Sequence, residues 1–384
     1  MFWMILGIIF SLLTLFGTIE LLLLTIGGLL PYRQRKTDNS TCQHIAVIIP
    51  AHNEENGISA CVQSLLVCDQ PQGQYSIYVI ADNCTDNTAE LAKKAGANVI
   101  VRHNPDERGK GYALDYAFQQ LENTNIDAFL IIDADTIVEQ NFITACEMVF
   151  NSGADALQCR YTVHNPEASL RTHLMHIALL AFNVLRPRGR DRWNLSVGIS
   201  GNGFGLTKQT LQQVPYSARS VVEDLEYHLK LVQADIKVQF VDTTTVRADM
   251  PTGKKGTDTQ RTRWEGGRFR MIREYIPYLL SSIFKGQFRL IEPLLELLLL
   301  PLALHVFLLL ITLALPFYLT QIYALIGLTI VFIHVFGALW VGGGTWKDVA
   351  VLASVPFYIL WKLMLMPRLL KAARKDMEWK RTER

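Results

Sequence analysis

The chain of 384 residues lacks several features that would place it in a familiar class. Its six cysteines, all between residues 42 and 159, show no C-x-x-C pairing, so we expect reduced thiols and no zinc site. The formal net charge is only +2, and no basic stripe with interleaved aromatic residues occurs. Nucleic acid is therefore not expected as a partner. The sequence also contains no internal repeat and no low-complexity tract.

Long apolar runs are missing from the middle of the chain and are concentrated at its two ends. Residues 1–30 carry a single charge, Glu20, and at about 1.5 Å per residue this run crosses roughly 30 Å of hydrocarbon. A cleaved signal peptide is the alternative, but the basic cluster at residues 33–36 follows the run instead of preceding it. Because basic residues stay in the cytosol, we predict a multi-pass protein of the cell (inner or plasma) membrane with a cytosolic domain over residues 31–270.

The carboxy-terminal region, residues 291–366, is apolar with breaks at residues 316–321 and 342–345. These breaks predict two full spans, near residues 291–315 and 320–341, and a third segment that lies in the membrane interface or re-enters the membrane. The tail, residues 367–384, is rich in Lys and Arg and is expected in the cytosol, which favours an even number of crossings after the domain. Residues 271–290 look amphipathic and predict an interfacial helix that leads into the membrane.

Between residues 44 and 160, short apolar runs alternate with helical patterns. The predicted strands are 45–49, 75–80, 99–101 and 128–132. The predicted helices are 58–66, 88–95 and 111–120. This alternation predicts an α/β domain with a mostly parallel sheet and helices on both faces. Ligands of such sheets bind beyond the carboxyl ends of the strands.

Five short polar patches follow one another in the domain predicted over residues 31–270. They are Pro50–Glu54, Asp82–Asp86, Asp133–Asp135, Val222–Asp224 and Gln260–Trp264. The first three directly follow predicted strands, so we expect their loops to converge on one crevice. Each patch alone is weak, because two carboxylates one residue apart occur by chance in many soluble domains. Their order along the chain, and their spacing over the length of a domain, indicate that the patches belong to one site.

Through these patches the chain resembles a family 2 glycosyltransferase of the membrane-integrated branch that includes cellulose, hyaluronan and poly-N-acetylglucosamine synthases. The resemblance covers residues 44–270 together with the flanking apolar segments. It implies a nucleotide-sugar-binding fold of the GT-A type with transmembrane helices at both ends. It also implies a UDP-sugar donor, a divalent metal ion and inverting transfer.

Asp133 and Asp135 follow an apolar strand, so the alternation of side chains puts both carboxylates on the same side of the chain. Their oxygen ligands suit Mg²⁺ or Mn²⁺, and a hard divalent ion neutralises the charge that develops on a departing diphosphate. By resemblance, Asp135 is the direct metal ligand and Asp133 lies near the ribose and the metal. A solvated strand end is the alternative interpretation.

The resemblance also implies the contacts to the nucleotide. Asp82 resembles the aspartate that accepts the ring N–H of uracil, while Asn53 and Glu54 resemble the nucleotide-contacting part of a motif that begins at Pro50. Lys110 lies between glycines at a predicted helix start, where it can contact phosphate or the nucleotide. Turn chemistry and helix capping are the alternative for the patch that begins at Asp82.

Asp224 is the candidate base that removes the proton from the attacking hydroxyl, with Glu223 beside it on the acceptor side. The motif Val222-Glu-Asp departs from the family's frequent Thr-Glu-Asp only at its first position. A helix cap is the alternative. The glycine-rich stretch around Gly203 and Phe204 would let a backbone loop approach an acceptor sugar closely.

By resemblance, Gln260, Arg263 and Trp264 lie over the donor diphosphate and at the acceptor entrance. Arginine grips diphosphate oxygens in a forked geometry, and an indole face can carry a sugar ring. The alternative is a juxtamembrane anchor, since Arg268 and Arg270 follow and such residues favour membrane interfaces.

The acceptor stays open between a growing polysaccharide and a lipid. The Q-x-x-R-W spacing and the flanking spans favour a polysaccharide synthase, which with so few spans would need an oligomer or an accessory export subunit. The run Arg186–Trp193 could hold lipid phosphates, or it is merely a solvated face. A catalytically silent membrane scaffold is a third hypothesis, against which the intact Asp135, Asp224 and Trp264 argue.

Overall fold

The computed structural model describes residues 1–32, 42–218 and 222–372. The basic cluster at 33–36 and the basic tail after residue 372 lie outside these ranges. The described chain forms two compact units. A helical unit comprises Met1–Pro31, Glu167–Trp193 and the described chain from Glu265 onward, and an α/β unit comprises Tyr32–Pro166 and Asn194–Trp264.

The described strands all belong to one sheet of the α/β unit. They are β1 His44–Ala51, β2 Gln74–Asp82, β3 Asn98–Arg102, β4 Ala128–Ile131, β5 Thr136–Val138, β6 Ala156–Val163, β7 Phe204–Thr207 and β8 Val238–Ala248.

Helices make up most of the remaining described chain. They are α1 Phe2–Leu29, α2 Ile58–Leu66, α3 Thr88–Ala95, α4 Lys110–Leu121, α5 Phe142–Phe150, α6 Leu170–Leu180, α7 Arg186–Arg192, α8 Lys208–Gln213, α9 Glu223–Gln233, α10 Lys254–Phe284, α11 Ile291–Leu298, α12 Leu302–Ala314, α13 Tyr318–Gly342, α14 Trp346–Val351 and α15 Val355–Ala372. A π-helical turn, Ala181–Leu185, joins α6 to α7.

The strand order is β3-β2-β1-β4-β7-β6-β8-β5. Strands β3, β2, β1 and β4 pair in parallel, which confirms the four strands and three helices predicted from the sequence up to residue 132. Beyond β4 the sheet is mixed, because β7 runs antiparallel to β4 and β6, and β5 runs antiparallel to β8. This half of the sheet was not predicted from the sequence, although the β-branched residues of β8 are typical of a strand.

Helices cover both faces of the sheet, as predicted. Phe204 and Leu206 of β7 are fully buried in a core that includes Leu114 of α4 and Tyr227 of α9. Gly205 points to the other face, where an added Cβ would lie 2.9 Å from the ring of Phe150 in α5. Alternation along one strand therefore assigns α4 and α9 to one face and α5 to the other.

The α/β unit is not the continuous stretch 31–270 that the sequence suggested. Residues Glu167–Trp193, which include α6 and α7, belong to the helical unit. Close packing inside that unit explains the difference. Gly189 of α7 lies so near α1 that an added Cβ would be 2.8 Å from the Cα atom of Leu24. The indole Nε1 of Trp193 donates to the carbonyl of Leu23 at 2.8 Å.

Two helices among the described residues, α1 and α13, are long and apolar enough to cross a membrane. A third crossing results if the segments Phe288–Leu298 and Leu302–Ala314, which are bent by 72°, form one broken span. The sequence suggested an unbroken span near 291–315, but the backbone leaves the helix at Leu299, just before Pro301. The amphipathic stretch expected at 271–290 is largely the second half of the longer helix α10, Lys254–Phe284.

Helices α1 and α13 run in the same direction inside the helical unit. Thr14 Oγ1, midway along α1, lies 2.9 Å from Tyr323 Oη, near the amino end of α13. Further along both helices, Thr25 Oγ1 lies 2.8 Å from His334 Nδ1. Such hydrogen bonds satisfy polar side chains on helices that are otherwise apolar, and they stabilise helix association.

The arginine run of α7 is not merely a solvated face, so that interpretation of Arg186–Trp193 is wrong. Residues four apart lie on the same side of a helix, so Arg186 and Arg190 point the same way. Both are buried, and Arg186 Nη2 lies 3.0 Å from Glu20 Oε1. Arg190 forms ion pairs with Glu292 and, at 3.4 Å, with Glu296. Arg188 Nη2 also donates to the carbonyl of Leu30 at 3.0 Å, so three of the four arginines in the run are engaged inside the helical unit.

Candidate active site

Three loops meet where β1, β2 and β4 end, at one edge of the sheet. His52 Nδ1, just after β1, lies 2.7 Å from the carbonyl oxygen of Asp82 at the end of β2. Asn53 accepts a hydrogen bond from the backbone N–H of Thr85 at 2.8 Å. Gly57 lies against the turn after β4, since an added Cβ would be 3.5 Å from the Cα atom of Asp135. The expected convergence of the loops is therefore observed.

The first loop is held by hydrogen bonds to the second. The backbone N–H of Glu54 donates to Thr88 Oγ1 at 2.8 Å, and Pro50 is the half-buried penultimate residue of β1. Asp86 accepts from the backbone N–H groups of Thr88 and Glu55. Burial alone would raise the pKa of Asp86, but a hydrogen bond from the Thr88 hydroxyl, together with these backbone hydrogen bonds, lowers it below its usual value. Asp86 thus supports the turn between β2 and α3.

Asp82 is buried and held by a cation. Arg102 Nη1 at the end of β3 donates to Asp82 Oδ1 at 2.8 Å, and Asn83 Nδ2 donates to the same oxygen at 3.0 Å. Arg102 is in turn bound to Glu107 at 2.9 Å. Within the described part of the chain both hydrogen bonds to the Asp82 side chain go to Oδ1, so Oδ2 remains for a further donor.

Lys110 joins two of the predicted site elements. Its ammonium group donates to Asp133 Oδ1 at 2.5 Å and to the backbone carbonyl of Gly201. Burial opposes its charge, but the carboxylate of Asp133, together with Glu223 and Asp224, raises the pKa of Lys110 above its usual value. The lysine is therefore protonated at neutral pH and neutralises part of an acidic cluster.

The loop before β7 brings Asp224 to this cluster. Gly201 has a φ of +75°, and an added Cβ would lie 3.1 Å from Asp224 Oδ2, so the loop and the carboxylate touch. Asp224 Oδ1 accepts from the backbone N–H of Leu225 at 2.8 Å, at the start of α9. Val222 is the N-cap of α9 and makes no side-chain cap hydrogen bond, so the structure does not support the capping interpretation of this motif.

Gly203 and Phe204 shape the same loop from inside. Gly203 has a φ of +70°, and an added Cβ would lie 2.6 Å from Val246. Phe204 is fully buried in the core. Its side chain is therefore shielded from an acceptor and acts by anchoring the loop, whereas the backbone before it is the part that can approach a ligand.

The last patch falls on helix α10. Gln260 is buried and Trp264 is half-buried. The side chain of Arg263 lies outside the part of the structure that is described. Gln260 and Trp264 both belong to the first third of α10, on the α/β side of the division between the units.

The acidic pair after β4 has the chemistry of a magnesium or manganese ligand set. Across the described ranges, no three His, Cys, Asp or Glu side chains come together as a metal cluster. Mg²⁺ and similar ions, however, commonly bind one or two carboxylates and take their other ligands from water and substrate phosphates. Asp133 and Asp135 fit that pattern, because they supply carboxylate oxygens beside a cationic lysine.

Sequence reasoning missed the residues that support these side chains. Arg102 could have been suspected as a lone cation at the end of a short strand. Gln158 of β6 and Thr136 of β5 carried no local signal, because the partners they contact lie far away in sequence. Asn202 lies directly before Gly203 in the glycine-rich stretch, but its residue type alone predicted no role.

Comparison with known proteins assigns the chain to a family. The family model described as glycosyltransferase like family 2 matches residues 43–267, which is more than half of the chain. The chain belongs to glycosyltransferase family 2. This agrees with the carboxylates that converge at the sheet edge, and it shows the general class of enzyme predicted from the five patches.

Curated relatives of this glycosyltransferase are distant. The probable glycosyltransferase YdaM of Bacillus subtilis is 23% identical over 60% of this chain and 57% of its own length. The beta-monoglucosyldiacylglycerol synthase of Nostoc sp. is 24% identical over 66% of this chain and 54% of its own length. The chain thus spans about half the length of the curated relatives it matches.

A solved structure covers the glycosyltransferase from end to end. The mannosyltransferase PcManGT from Pyrobaculum calidifontis, in complex with GDP-Man and Mn²⁺, matches 97% of this chain and 97% of its own with a TM-score of 0.58. The sequence identity is 15%, so this likeness shows the fold alone. The predicted GT-A fold with apolar helices toward both ends is confirmed.

Proposed function

We propose that the protein is a membrane-bound, inverting and metal-dependent hexosyltransferase that transfers a sugar from a UDP-sugar to a lipid. The observation that carries the catalytic part is the meeting of the Asp133 turn, Lys110, Gly201 and Asp224. Carboxylates suited to a metal and a carboxylate suited to act as a base then lie on either side of one glycine-rich loop.

The donor nucleotide would bind at the ends of β1 and β2. Arg102 holds Asp82 by Oδ1, which leaves Oδ2 to accept the ring N–H of uracil. The loop around Asn53 and Glu54 lies directly beside it and would contact the rest of the nucleotide. Gln260, Arg263 and Trp264 would cover the diphosphate and the entrance for the acceptor.

Asp135 and Asp133 would hold the divalent ion, Mg²⁺ or Mn²⁺. When bound, the ion would neutralise negative charge on the diphosphate leaving group. Lys110 already balances part of the acidic charge through Asp133, which favours the binding of an anionic donor at this place.

Asp224 would act as the general base. Its Oδ1 is held by the start of α9, so the carboxylate is fixed in orientation, and its Oδ2 faces the backbone of Gly201. A positioned carboxylate typically contributes on the order of 10² to 10⁴ in rate. Glu223 and the backbone before Phe204 would contact the acceptor.

Two observations support a lipid acceptor. Three of the curated relatives are beta-monoglucosyldiacylglycerol synthases, proteins named for glycolipid formation. The described helical unit also offers only two candidate spans, or three with the bent pair, which are few to enclose a channel for a polymer. A polysaccharide synthase of the cellulose or hyaluronan type is the second candidate. It is favoured by the spacing of Gln260 and Trp264, and would require an oligomer or an accessory export subunit.

We further propose that the enzyme is a multi-pass protein of the cell (inner or plasma) membrane with its catalytic domain in the cytosol. The parallel course of α1 and α13 supports this orientation, since both helices would then end on the same side. In the sequence, basic residues follow the end of α1, and the basic tail follows α15. Basic segments next to membrane helices favour the cytosolic side of the membrane.

The test is to incubate membrane vesicles that contain the protein with individually labelled UDP-sugars, diacylglycerol and Mn²⁺ or Mg²⁺. The product is then partitioned between organic solvent and water, and the aqueous fraction is sized. Label of low mass in the organic phase is the expected result. Label in a long aqueous polymer would replace the lipid proposal with the polysaccharide one.

Two controls belong to this experiment. GDP-mannose replaces the UDP-sugars to test the choice of nucleotide, and Asp224→Asn tests whether the product depends on the proposed base. Transfer from GDP-mannose alone would overturn the UDP assignment. Equal transfer in the presence and absence of a chelator would overturn the proposed requirement for a divalent metal ion.

A further inference from the structure

Three buried polar side chains connect the proposed metal site to the loop that touches Asp224. They are Thr136 of β5, Gln158 of β6 and Asn202, and each is at most 2% exposed. All three belong to the α/β unit. None of them is among the residues proposed above to bind the donor, the metal ion or the acceptor. Buried polar groups of this kind cost free energy unless they are satisfied, so their pairing defines their position closely.

The side chain of Asn202 bridges the two ends of the aspartate turn. Its Oδ1 accepts from the backbone N–H of Asp133 at 3.1 Å, and its Nδ2 donates to Thr136 Oγ1 at 2.9 Å. The backbone N–H of Thr136 donates to the carbonyl of Asp133 at 3.1 Å, which closes the turn that contains Asp135. The hydroxyl of Thr136 therefore sets the orientation of the amide that supports Asp133.

Gln158 holds the backbone of the glycine-rich loop on both sides of Gly201. Its Oε1 accepts from the N–H of Ser200 at 2.8 Å, and its Nε2 donates to the carbonyls of Asn202 at 2.8 Å and Gly203 at 3.2 Å. Gly201, between these anchors, is the residue that touches Asp224. A shift of this loop would therefore affect both Asp224 and the turn that carries Asp133 and Asp135.

We propose that Thr136, Gln158 and Asn202 are positioning residues that hold the glycine-rich loop against the aspartate turn. They thereby set the place of Asp224 relative to the two metal-binding aspartates. The proposal rests on the donor and metal site proposed above. Residues that orient metal ligands from behind typically change metal affinity or activity by about 10- to 100-fold when they are replaced.

The chain offers matched variants for a test. Thr136→Val removes only the hydroxyl that accepts from Asn202, and Thr136→Ser retains it. Thr244→Val is the control, because Thr244 is also fully buried in the sheet, and its hydroxyl has no hydrogen-bond partner in the described structure. Gln158→Met is a second variant at the other end of the network, in case Thr136→Val does not fold.

The measurement is UDP binding by the purified full chain in detergent, titrated with Mn²⁺. Amide hydrogen exchange of the loop peptide that contains residues 200–203 is followed in parallel. We expect Thr136→Val to need about 10-fold or more Mn²⁺ for half-maximal binding, as for other supporting residues of metal sites. Its loop should exchange faster, while Thr136→Ser and Thr244→Val behave like the original protein.

The outcomes separate the two proposals. If the original protein shows no Mn²⁺-dependent UDP binding, the proposed donor and metal site is wrong, whereas loop exchange still tests the network. If Thr136→Val and Gln158→Met are folded and keep both the Mn²⁺ dependence and the loop protection, the network does not position the site. Equal loss in Thr244→Val would also overturn it, since a general effect of removing a buried hydroxyl would then explain the result.

Discussion

Single side chains in this site are defined by the charge around them. Lys110 faces Asp133 directly and lies near Glu223 and Asp224, and the summed attraction raises the pKa of Lys110 despite its burial. Arg102 holds Asp82 in the same manner at the neighbouring loop. Each cation orients a carboxylate before any substrate arrives, and such preorganisation is what electrostatic catalysis needs.

Asp135→Asn should abolish metal-dependent UDP binding, because an amide is a much weaker ligand for a hard divalent ion than a carboxylate. Binding of UDP is measured by calorimetry with and without Mn²⁺. Asp106→Asn is the control, since Asp106 is an exposed loop residue of the same α/β unit. Unchanged metal dependence in Asp135→Asn would remove Asp135 from the metal site.

Asp224→Asn should keep UDP-sugar binding and lose turnover by about 10²- to 10⁴-fold, because an amide cannot accept the proton of the acceptor hydroxyl. The local hydrogen bond is preserved, since the Oδ1 atom of asparagine can accept from the backbone N–H of Leu225 as that of aspartate does. Asp235→Asn, at the far end of α9, is the matched control because asparagine tolerates the φ of +65° found there. Near-normal turnover in Asp224→Asn would exclude the base assignment.

At the scale of elements, α7 shows how helical periodicity sorts identical residues. Arg186 and Arg190 are one turn apart and face Glu20, while Arg192 is exposed. The run looks uniform in sequence, yet half of it is an internal ion-pair network that also includes Glu292 of α11. A buried charge is costly when it loses its partner, so these pairs fix α7 to its neighbours.

Arg190→Met should therefore destabilise the protein by up to about 3–5 kcal/mol, since it removes the buried cation that the half-buried carboxylates of Glu20, Glu292 and Glu296 share. Arg192→Met should change stability by no more than about 0.5 kcal/mol, as is usual for exposed sites. Thermal unfolding in detergent measures both. The double variant Arg190→Met with Glu292→Gln should recover part of the lost stability. Equal melting temperatures of Arg190→Met and Arg192→Met would contradict the internal ion-pair network.

At alkaline pH, several side chains hold their protons more tightly in the folded protein than in the unfolded chain. Burial raises the pKa of Cys42 from 9.0 to about 12 and that of Cys68 to about 11. The pKa of Lys110 is also raised above 10.5. Above pH 9.0 the unfolded chain loses protons that the folded protein keeps. Stability must therefore fall as the pH rises.

We expect the melting temperature to decrease steadily between pH 8.5 and pH 11, which thermal scans in detergent at fixed ionic strength would measure. The double variant Cys42→Ser with Cys68→Ser should flatten the decrease, because serine does not titrate in this range. A melting temperature that is constant over this range, or that rises, would contradict the assigned direction.

Much of the parallel half of the fold was predictable, and the antiparallel half was not. Strands β1 to β4 are bounded by breakers and alternate with helices, so local pattern was sufficient. Strand β7 has only four residues and inserts between β4 and β6, which no local pattern reveals. In the proposed site, Asp133, Asp135 and Asp224 were predicted from residue type, whereas Gln158 and Thr136 are recognised only through contacts that the topology creates.

The sequence by itself determined the chemistry that this protein can offer: the order of the acidic patches, the glycines between them and the apolar ends. These are properties of residue type and local spacing, which survive in the chain without any fold. Only the tertiary structure decided which carboxylates meet, that Arg186 and Arg190 are internal, and that Glu167–Trp193 belongs with the helices. The reason is that burial and pairing depend on partners tens to hundreds of residues away, and those partners become neighbours only when the chain is folded.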